Sequence, residues 1–182
     1  TVAPGEAGPR VGLIAGHMGN DSGAVCLDGL TEAEVNADVA ERVAGDLRQR
    51  QITVDILEEF DPRLRGYQAN ALVSIHSDSC SVDYSGFKVA NQEGADEPSQ
   101  RLTECLWTEY EKATGLPRHP TTITADMTRY HAFNRIAVTT PASIIELGFL
   151  NADGPFLTRQ AGRAAKGVAD GILCFLNSNP EQ

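Results

Sequence analysis

Short apolar runs separated by polar segments predict five β-strands. Three of these runs are almost continuously apolar, as expected of strands that are buried on both faces, at residues 11–15, 71–75 and 142–145. Residues 52–57 alternate apolar and polar positions and are rich in β-branched side chains, and residues 86–90 form one more short run. The remaining apolar positions recur at the spacing of helices.

Three segments have this helical spacing. The first begins at Thr31, whose hydroxyl can cap the helix while Glu34 reaches back as the capping-box partner. Its apolar face consists of Val35, Val39, Val43 and Leu47. A second helix has Pro98 in its first turn and ends at Gly115. Its Leu102, Cys105 and Leu106 face inward. The third covers residues 156–176.

Strands that alternate with helices predict an α/β fold, with a mostly parallel, twisted sheet and helices on both faces. A chain of 182 residues has room for one core, so we expect a single domain at residues 10–178. Residues 1–9 are rich in Pro and Gly and are interpreted as a linker remnant. The polar segment 117–134 has no regular pattern.

The charge balance limits the possible partners. The sequence has 15 Lys and Arg against 25 Asp and Glu, a formal net charge of −10. Such an acidic chain has no general surface for phosphate, which argues against nucleic acid as a partner. Its longest apolar runs are far shorter than the roughly 20 residues that span a bilayer, so we expect no membrane insertion.

The four cysteines contain no CxxC pair, which argues against a cysteine-built zinc site. Three complete disulfide pairings are possible, and the sequence alone does not choose among them. Cys26 and Cys80 both follow strands that lead into histidines, and one pairing would join them in an oxidising compartment. Cys105 lies on the apolar face of its helix, where we expect a buried free thiol.

Side chains that can bind a metal or transfer a proton occur where three buried strands end. His17, His76 and Glu146 each lie within two residues of an apolar run. Ligands of open α/β sheets bind outside the carboxyl ends of the strands, so we expect these side chains to meet. Two imidazoles and a carboxylate make a three-ligand site of the hydrolytic zinc type, and a further unbound carboxylate would act as the general base.

Six motifs follow one another along nearly the whole chain: residues 14–17 (IAGH), 30–36 (LTEAEVN), 69–70 (AN), 74–78 (SIHSD), 86–87 (GF) and 141–150 (PASIIELGFL). His17 and Glu32 are 15 residues apart, and His17 and His76 are 59 apart. In their order and spacing, these motifs resemble the zinc-dependent N-acetylmuramoyl-L-alanine amidases of the amidase-3 type.

The resemblance implies that His17, Glu32 and His76 bind one Zn²⁺ per chain and that Glu146 is the catalytic acid/base. The family pattern places its ligand carboxylate four residues before the asparagine of the second motif, which selects Glu32 rather than Glu34. Glu32 has a structural alternative, because an acidic residue in the first turn of a helix also complements the helix dipole.

Further polar residues are candidates for substrate contact, with solvated loop positions as the alternative interpretation: Asn70, Arg129, Tyr130, His131 and Asn134. Asp21 and Asp78 are candidates for orienting the metal ligands. The chain departs from the family pattern at Met18, at Ala33 and in the sequence His-Ser-Asp at residues 76–78. None of these departures replaces a ligand that the resemblance implies, so we expect them to affect the choice of substrate more than the activity itself.

The resemblance implies a secreted, extracytoplasmic peptidoglycan hydrolase, an autolysin of the cell wall or periplasm. Its reaction would cleave the amide bond between the lactyl group of N-acetylmuramic acid and the L-alanine of the stem peptide. Two alternatives stay open, a zinc carboxypeptidase acting on peptides and a non-catalytic wall-binding or activator domain. The sequence has no wall-binding repeat, so we expect a targeting domain or partner outside this chain.

Overall fold

The sheet contains all five predicted strands. In the computed structural model, which describes residues 8–178, they are β1 (Arg10–Ala15), β2 (Thr53–Leu57), β3 (Ala71–Asp78), β4 (Lys88–Ala90) and β5 (Ala142–Phe149). The strand order is β2-β1-β3-β5-β4, in which only β4 is antiparallel to its neighbour. The mostly parallel α/β fold is therefore confirmed. The predicted linker remnant at residues 1–9 falls mostly outside the described residues.

Within the described residues, five α-helices connect and follow the strands: α1 (Glu32–Gln49), α2 (Glu97–Thr114), α3 (Ala125–Thr128), α4 (Gly154–Arg159) and α5 (Ala161–Asn177). The prediction of one continuous helix over residues 156–176 is wrong. Gln160 has non-helical angles (φ −125°, ψ 30°), so its N–H closes α4 on the Phe156 carbonyl while its own carbonyl accepts from the Arg163 N–H of α5. The irregular segment 117–134 contains α3 and two short 3₁₀ turns.

The predicted helix boundaries follow from local capping. The hydroxyl of Thr31 accepts from the Glu34 N–H at 3.3 Å, and the Glu34 carboxylate accepts from the Thr31 N–H at 3.3 Å, which completes the capping box of α1. Asp96 caps α2 and Pro98 lies in its first turn. Gly115 ends α2 in the left-handed conformation (φ 73°), which glycine adopts without steric cost.

Both faces of the sheet are covered, but in different ways. The helices α1, α2 and α5 pack on one face against residues such as Leu13 and Val73. The opposite face, with Ile14 and Leu72, is covered by the short turns, which contribute Met127, Tyr130 and Phe133. The segment without a regular pattern thus forms the second layer of the core.

Two disulfides join distant parts of the chain. Cys26 and Cys80 are bonded with their Cα atoms 5.6 Å apart, and Cys105 and Cys174 are bonded with theirs 5.8 Å apart. The prediction of a free thiol at Cys105 is wrong, because α2 and α5 approach closely. A Cβ on Gly171 of α5 would lie 2.9 Å from the Leu106 Cα of α2, so only glycine permits this contact.

Between residues 8 and 178, none of the helices has both the length and the apolar character needed to cross a membrane.

Candidate metal centre

The carboxyl ends of β1, β3 and β5 lie side by side and bring the predicted residues together. His17 follows β1 by two residues, His76 lies within β3, and Glu146 of β5 is its partner in the β3–β5 register. The strand order reverses between β1 and β3, the position where open α/β sheets form a binding crevice. The sequence-predicted constellation is therefore assembled at one edge of the sheet.

His17 is held in an uncommon backbone conformation. Its φ is 66°, in the left-handed region that residues other than glycine rarely adopt. The His17 N–H donates to Glu59 Oε2 at 2.8 Å, and its ring Nδ1 lies 2.5 Å from Asp21 Oδ1. With Nδ1 engaged by Asp21, the imidazole directs Nε2 toward the centre of the cluster.

Glu32 is the first residue of α1 and is only 7% exposed. Its Oε1 lies 3.2 Å from His17 Nε2 and 3.0 Å from His76 Nδ1, while Oε2 accepts from the Ala24 N–H at 3.2 Å. Glu34 instead bonds to Thr31 in the capping box. The two carboxylates in this turn thus face different partners, as the sequence predicts.

The donor set fits a metal ion. One ligand atom each from His17, Glu32 and His76 lies within 4.8 Å of the other two. A tetrahedral zinc site places nitrogen and oxygen donors about 2.0–2.2 Å from the ion, and three protein donors leave a fourth position open. The chemistry of two imidazoles and one carboxylate is that of a hydrolytic metal site.

Glu146 lies beside this group without joining it. Its Oε2 is buried and has no hydrogen-bond partner among the described residues. A buried unpaired carboxylate oxygen is costly, and such groups concentrate at functional sites. Glu146 is thus a buried carboxylate that lies apart from the His-Glu-His group.

Several carboxylates lie close together around His76, and they shift the pKa values of the groups in this cluster. Burial opposes protonation of His76, but hydrogen bonds to Glu32 and Glu59 raise its pKa to about 10. Burial also opposes ionisation of Glu32, yet its hydrogen bond with His76 holds the pKa of Glu32 below its ordinary value. At Glu146, burial raises the pKa to about 8; His76 opposes this shift, whereas the charges of Glu32 and Asp78 add to it.

The structure does not bring three of the predicted substrate residues to this group. Asn70 precedes β3 and bonds to the backbone of Arg10, so it lies at the amino end of the sheet, roughly 20 Å along the strand from His76. Arg129 pairs with Glu93, and Asn134 accepts a hydrogen bond from the Gln92 amide. Both of those partners follow the end of β4, beside the amino-terminal half of β5.

Tyr130 and His131 do lie near the histidines, although not as predicted. Tyr130 is 7% exposed, so it is buried beneath the site rather than open to a substrate; its hydroxyl donates to Glu59 Oε1 at 2.7 Å. His131 Nε2 lies 2.8 Å from the same oxygen, and its ring stacks on Phe60. Of the five predicted substrate residues, only His131 keeps an accessible position beside the metal centre.

Asp21 contacts His17 as predicted for an orienting partner, but Asp78 does not contact a ligand histidine. Asp78 Oδ2 pairs with the buried Lys88 at 2.5 Å. Two further charged residues lie at this site without having been predicted from the sequence: Lys88, which is in register with Glu146, and Glu59. Glu59 follows β2 by two residues, the same strand-end signal that identified the histidines.

A mostly parallel α/β sheet with a His-Glu-His group and an unpaired carboxylate at its strand ends has the features of hydrolytic metalloenzymes. The sequence profile of the amidase-3 family, N-acetylmuramoyl-L-alanine amidase, matches residues 11–174. The chain belongs to this family, and its activity is that of a peptidoglycan amidase. The motif resemblance is thereby confirmed. No curated protein sequence matches the chain at a significant level.

Solved amidase structures share the fold over almost the whole chain. An N-acetylmuramoyl-L-alanine amidase from Clostridium difficile 630 is 20% identical with a TM-score of 0.79, covering 96% of this chain and 100% of that one. The catalytic domain of CwlV, an amidase from Bacillus (Paenibacillus) polymyxa var. colistinus, is 26% identical with a TM-score of 0.72, covering 93% and 98%. The CwlD amidase of Clostridioides difficile, solved in complex with the GerS lipoprotein, is 19% identical with a TM-score of 0.74, covering 93% and 97%.

Proposed function

We propose that this amidase is zinc-dependent and cleaves the bond between the lactyl carbonyl of N-acetylmuramic acid and the amine of L-alanine. His17, Glu32 and His76 would hold one Zn²⁺ per chain. When bound, Zn²⁺ supplies a Lewis acid at the scissile carbonyl. The observation that carries the proposal is the convergence of these three donors beside Glu146, whose Oε2 has no hydrogen-bond partner among the described residues.

Glu146 has the proton-transfer role in this proposal. Its unpaired Oε2 accepts a proton from the attacking water and then delivers it to the leaving amine of L-alanine. Burial raises the pKa of this carboxyl to about 8, which suits a group that gains and loses a proton in each turnover. Asp21 supports the site by holding the His17 ring.

The test is turnover of a defined muropeptide by the whole chain, with products identified by mass. We expect free N-acetylmuramic acid and a stem peptide with a new L-alanine amine, loss of both with a chelator, and recovery when zinc is restored. Release of a carboxyl-terminal amino acid would instead identify a carboxypeptidase. Muropeptide binding with zinc present and no cleavage would identify a wall-binding or activator domain.

We also propose that the chain works outside the cytoplasm, because two disulfides form within the described residues and such bonds persist in oxidising compartments. With a net charge of −10, it has no electrostatic attraction to an anionic wall polymer. A targeting partner would supply that attraction, and CwlD in its complex with a lipoprotein is an amidase with a protein partner. Co-sedimentation of the chain with purified cell walls, with and without a cell-envelope extract, tests this requirement.

A further inference from the structure

One buried carboxylate lies behind both histidines of the metal centre. Glu59 is 5% exposed and follows the carboxyl end of β2 by two residues. Its Oε1 accepts from the Tyr130 hydroxyl at 2.7 Å and lies 2.8 Å from His131 Nε2. Its Oε2 accepts from the His17 N–H at 2.8 Å and faces His76 Nε2 at 3.4 Å. A carboxylate with this many neighbouring donors is held in one orientation.

The contact with His76 determines which ring nitrogen is free for a metal. His76 Nδ1 is the nitrogen that faces Glu32, whereas Nε2 faces Glu59. A neutral imidazole has a proton on only one of its nitrogens, and once Glu32 binds a metal, Glu59 opposite Nε2 is the carboxylate left to accept that proton. Nδ1 is then left with its lone pair directed at the metal position.

The contact with His17 acts on the backbone rather than on the ring. The left-handed conformation of His17 directs its N–H toward Glu59, and the 2.8 Å hydrogen bond stabilises that conformation. Asp21 also holds His17, but its side chain is 57% exposed and, of the two histidines, it contacts only His17, through the ring. Among the carboxylates described here, Glu59 alone contacts His17 and His76 without belonging to the three-ligand group.

We propose that Glu59 is a positioning residue that sets the orientation of both histidine ligands and the tautomer of His76. The proposal rests on the metal site of the proposed function. Glu59 acts through His17 and His76 and binds neither the metal nor the substrate. Tyr130 and His131 hold the carboxylate in position from the other side, which gives these two residues a role other than substrate contact.

The test compares Glu59→Gln with Asp61→Asn, a matched change of a buried carboxylate two residues away whose side chain bonds to Arg63. The amide of Glu59→Gln keeps an oxygen acceptor for the His17 N–H but removes the charge opposite His76. Zinc affinity, measured by competition with a chelator, should fall roughly 10- to 100-fold in Glu59→Gln, the range for loss of an outer partner. It should stay at the wild-type value in Asp61→Asn.

Two spectroscopic readouts separate positioning from a general loss of stability. The visible absorption of the Co²⁺-substituted protein reports ligand geometry and should shift in Glu59→Gln but not in Asp61→Asn. In wild-type protein loaded with zinc, ¹⁵N NMR of His76 should show a protonated Nε2 and a metal-bound Nδ1. This second measurement needs no variant and holds even if Glu59→Gln folds poorly.

Wild-type affinity and an unchanged Co²⁺ spectrum in Glu59→Gln would overturn the proposal, as would zinc bound through Nε2 of His76. Loss of zinc as complete as in His17→Ala would also overturn it, by making Glu59 a ligand. If wild-type protein binds no zinc, the proposed function itself fails. If it binds zinc and cleaves muropeptide while the Glu59→Gln readouts stay at wild type, only this inference fails.

Discussion

Two glutamates in the first turn of α1 differ in what their loss should do. Glu32 faces both histidines, whereas Glu34 faces only Thr31 in the capping box. We predict that Glu32→Ala weakens zinc binding by more than roughly 100-fold, because a ligand should matter more than an outer partner. Glu34→Ala should keep zinc and cost about 1 kcal/mol of unfolding free energy or less. Chelator competition and denaturant unfolding measure the two effects, and exchanged outcomes would contradict the assignment.

Glu146 should be separable from metal binding. Glu146→Gln keeps the shape of the side chain but cannot accept a proton from water. We predict normal folding, wild-type zinc content and a fall in muropeptide turnover of at least roughly 10²-fold. Elemental analysis is paired with product release from one defined muropeptide. Near-normal turnover would remove Glu146 as the base, and a loss of zinc would make it a ligand.

At the scale of elements, Asp55 connects β2 to β1 and to the loop after β2. It accepts from Arg10 Nη1 and from the Tyr67 hydroxyl, each at 2.7 Å, and the Tyr67 ring crosses Gly12 so closely that a Cβ there would lie 2.6 Å from it. Although burial opposes ionisation, these hydrogen bonds hold the pKa of Asp55 below its ordinary value of 3.8. The ionised side chain therefore stabilises the fold at neutral pH.

The sign of the pH dependence follows from that lowered pKa. The contribution of Asp55 is complete well above pH 3.8 and is lost as the pH falls through the lower pKa of the folded state. We predict that Asp55→Asn is less stable than wild type by roughly 1–2 kcal/mol at pH 7. The difference should shrink as the pH falls below 4. Urea unfolding of both proteins from pH 7 to pH 3 measures it; a constant difference would exclude a charge effect.

The sequence predicts the helices and strands, because their apolar positions recur at a regular spacing. It also predicts those site residues whose position depends only on the direction of the strand that they follow. His17, His76 and Glu146 could be placed together because parallel strands bring their carboxyl ends to one edge. Asn70, a candidate for substrate contact, precedes β3, and the same chain direction places it at the opposite end of the sheet. Tyr130 could not be placed because its segment has no periodicity, and its position depends on packing against Ser74 and Glu59.

At the scale of the whole molecule, the disulfides constrain different regions. Cys26–Cys80 joins the loop that follows β1 and carries His17 to the loop that follows β3, whereas Cys105–Cys174 joins α2 to α5 and closes a separation of 69 residues. We predict that the Cys105→Ala/Cys174→Ala double variant loses about 2–5 kcal/mol of unfolding free energy and keeps wild-type zinc affinity. Guanidinium unfolding and chelator competition test both parts. Loss of zinc at full folding would contradict this separation of roles.

The backbone conformation of His17 lowers the stability of the fold. At a φ of 66°, a non-glycine residue costs about 1–2 kcal/mol relative to a relaxed conformation. Both His17→Gly and His17→Ala remove the ligand, but only glycine relieves the backbone. The metal-free His17→Gly protein should therefore unfold at a higher denaturant concentration than His17→Ala, with zinc lost in both. Selection for stability alone would favour glycine at this position, so under the proposed function the histidine exchanges stability for metal binding, and the two variants measure that exchange.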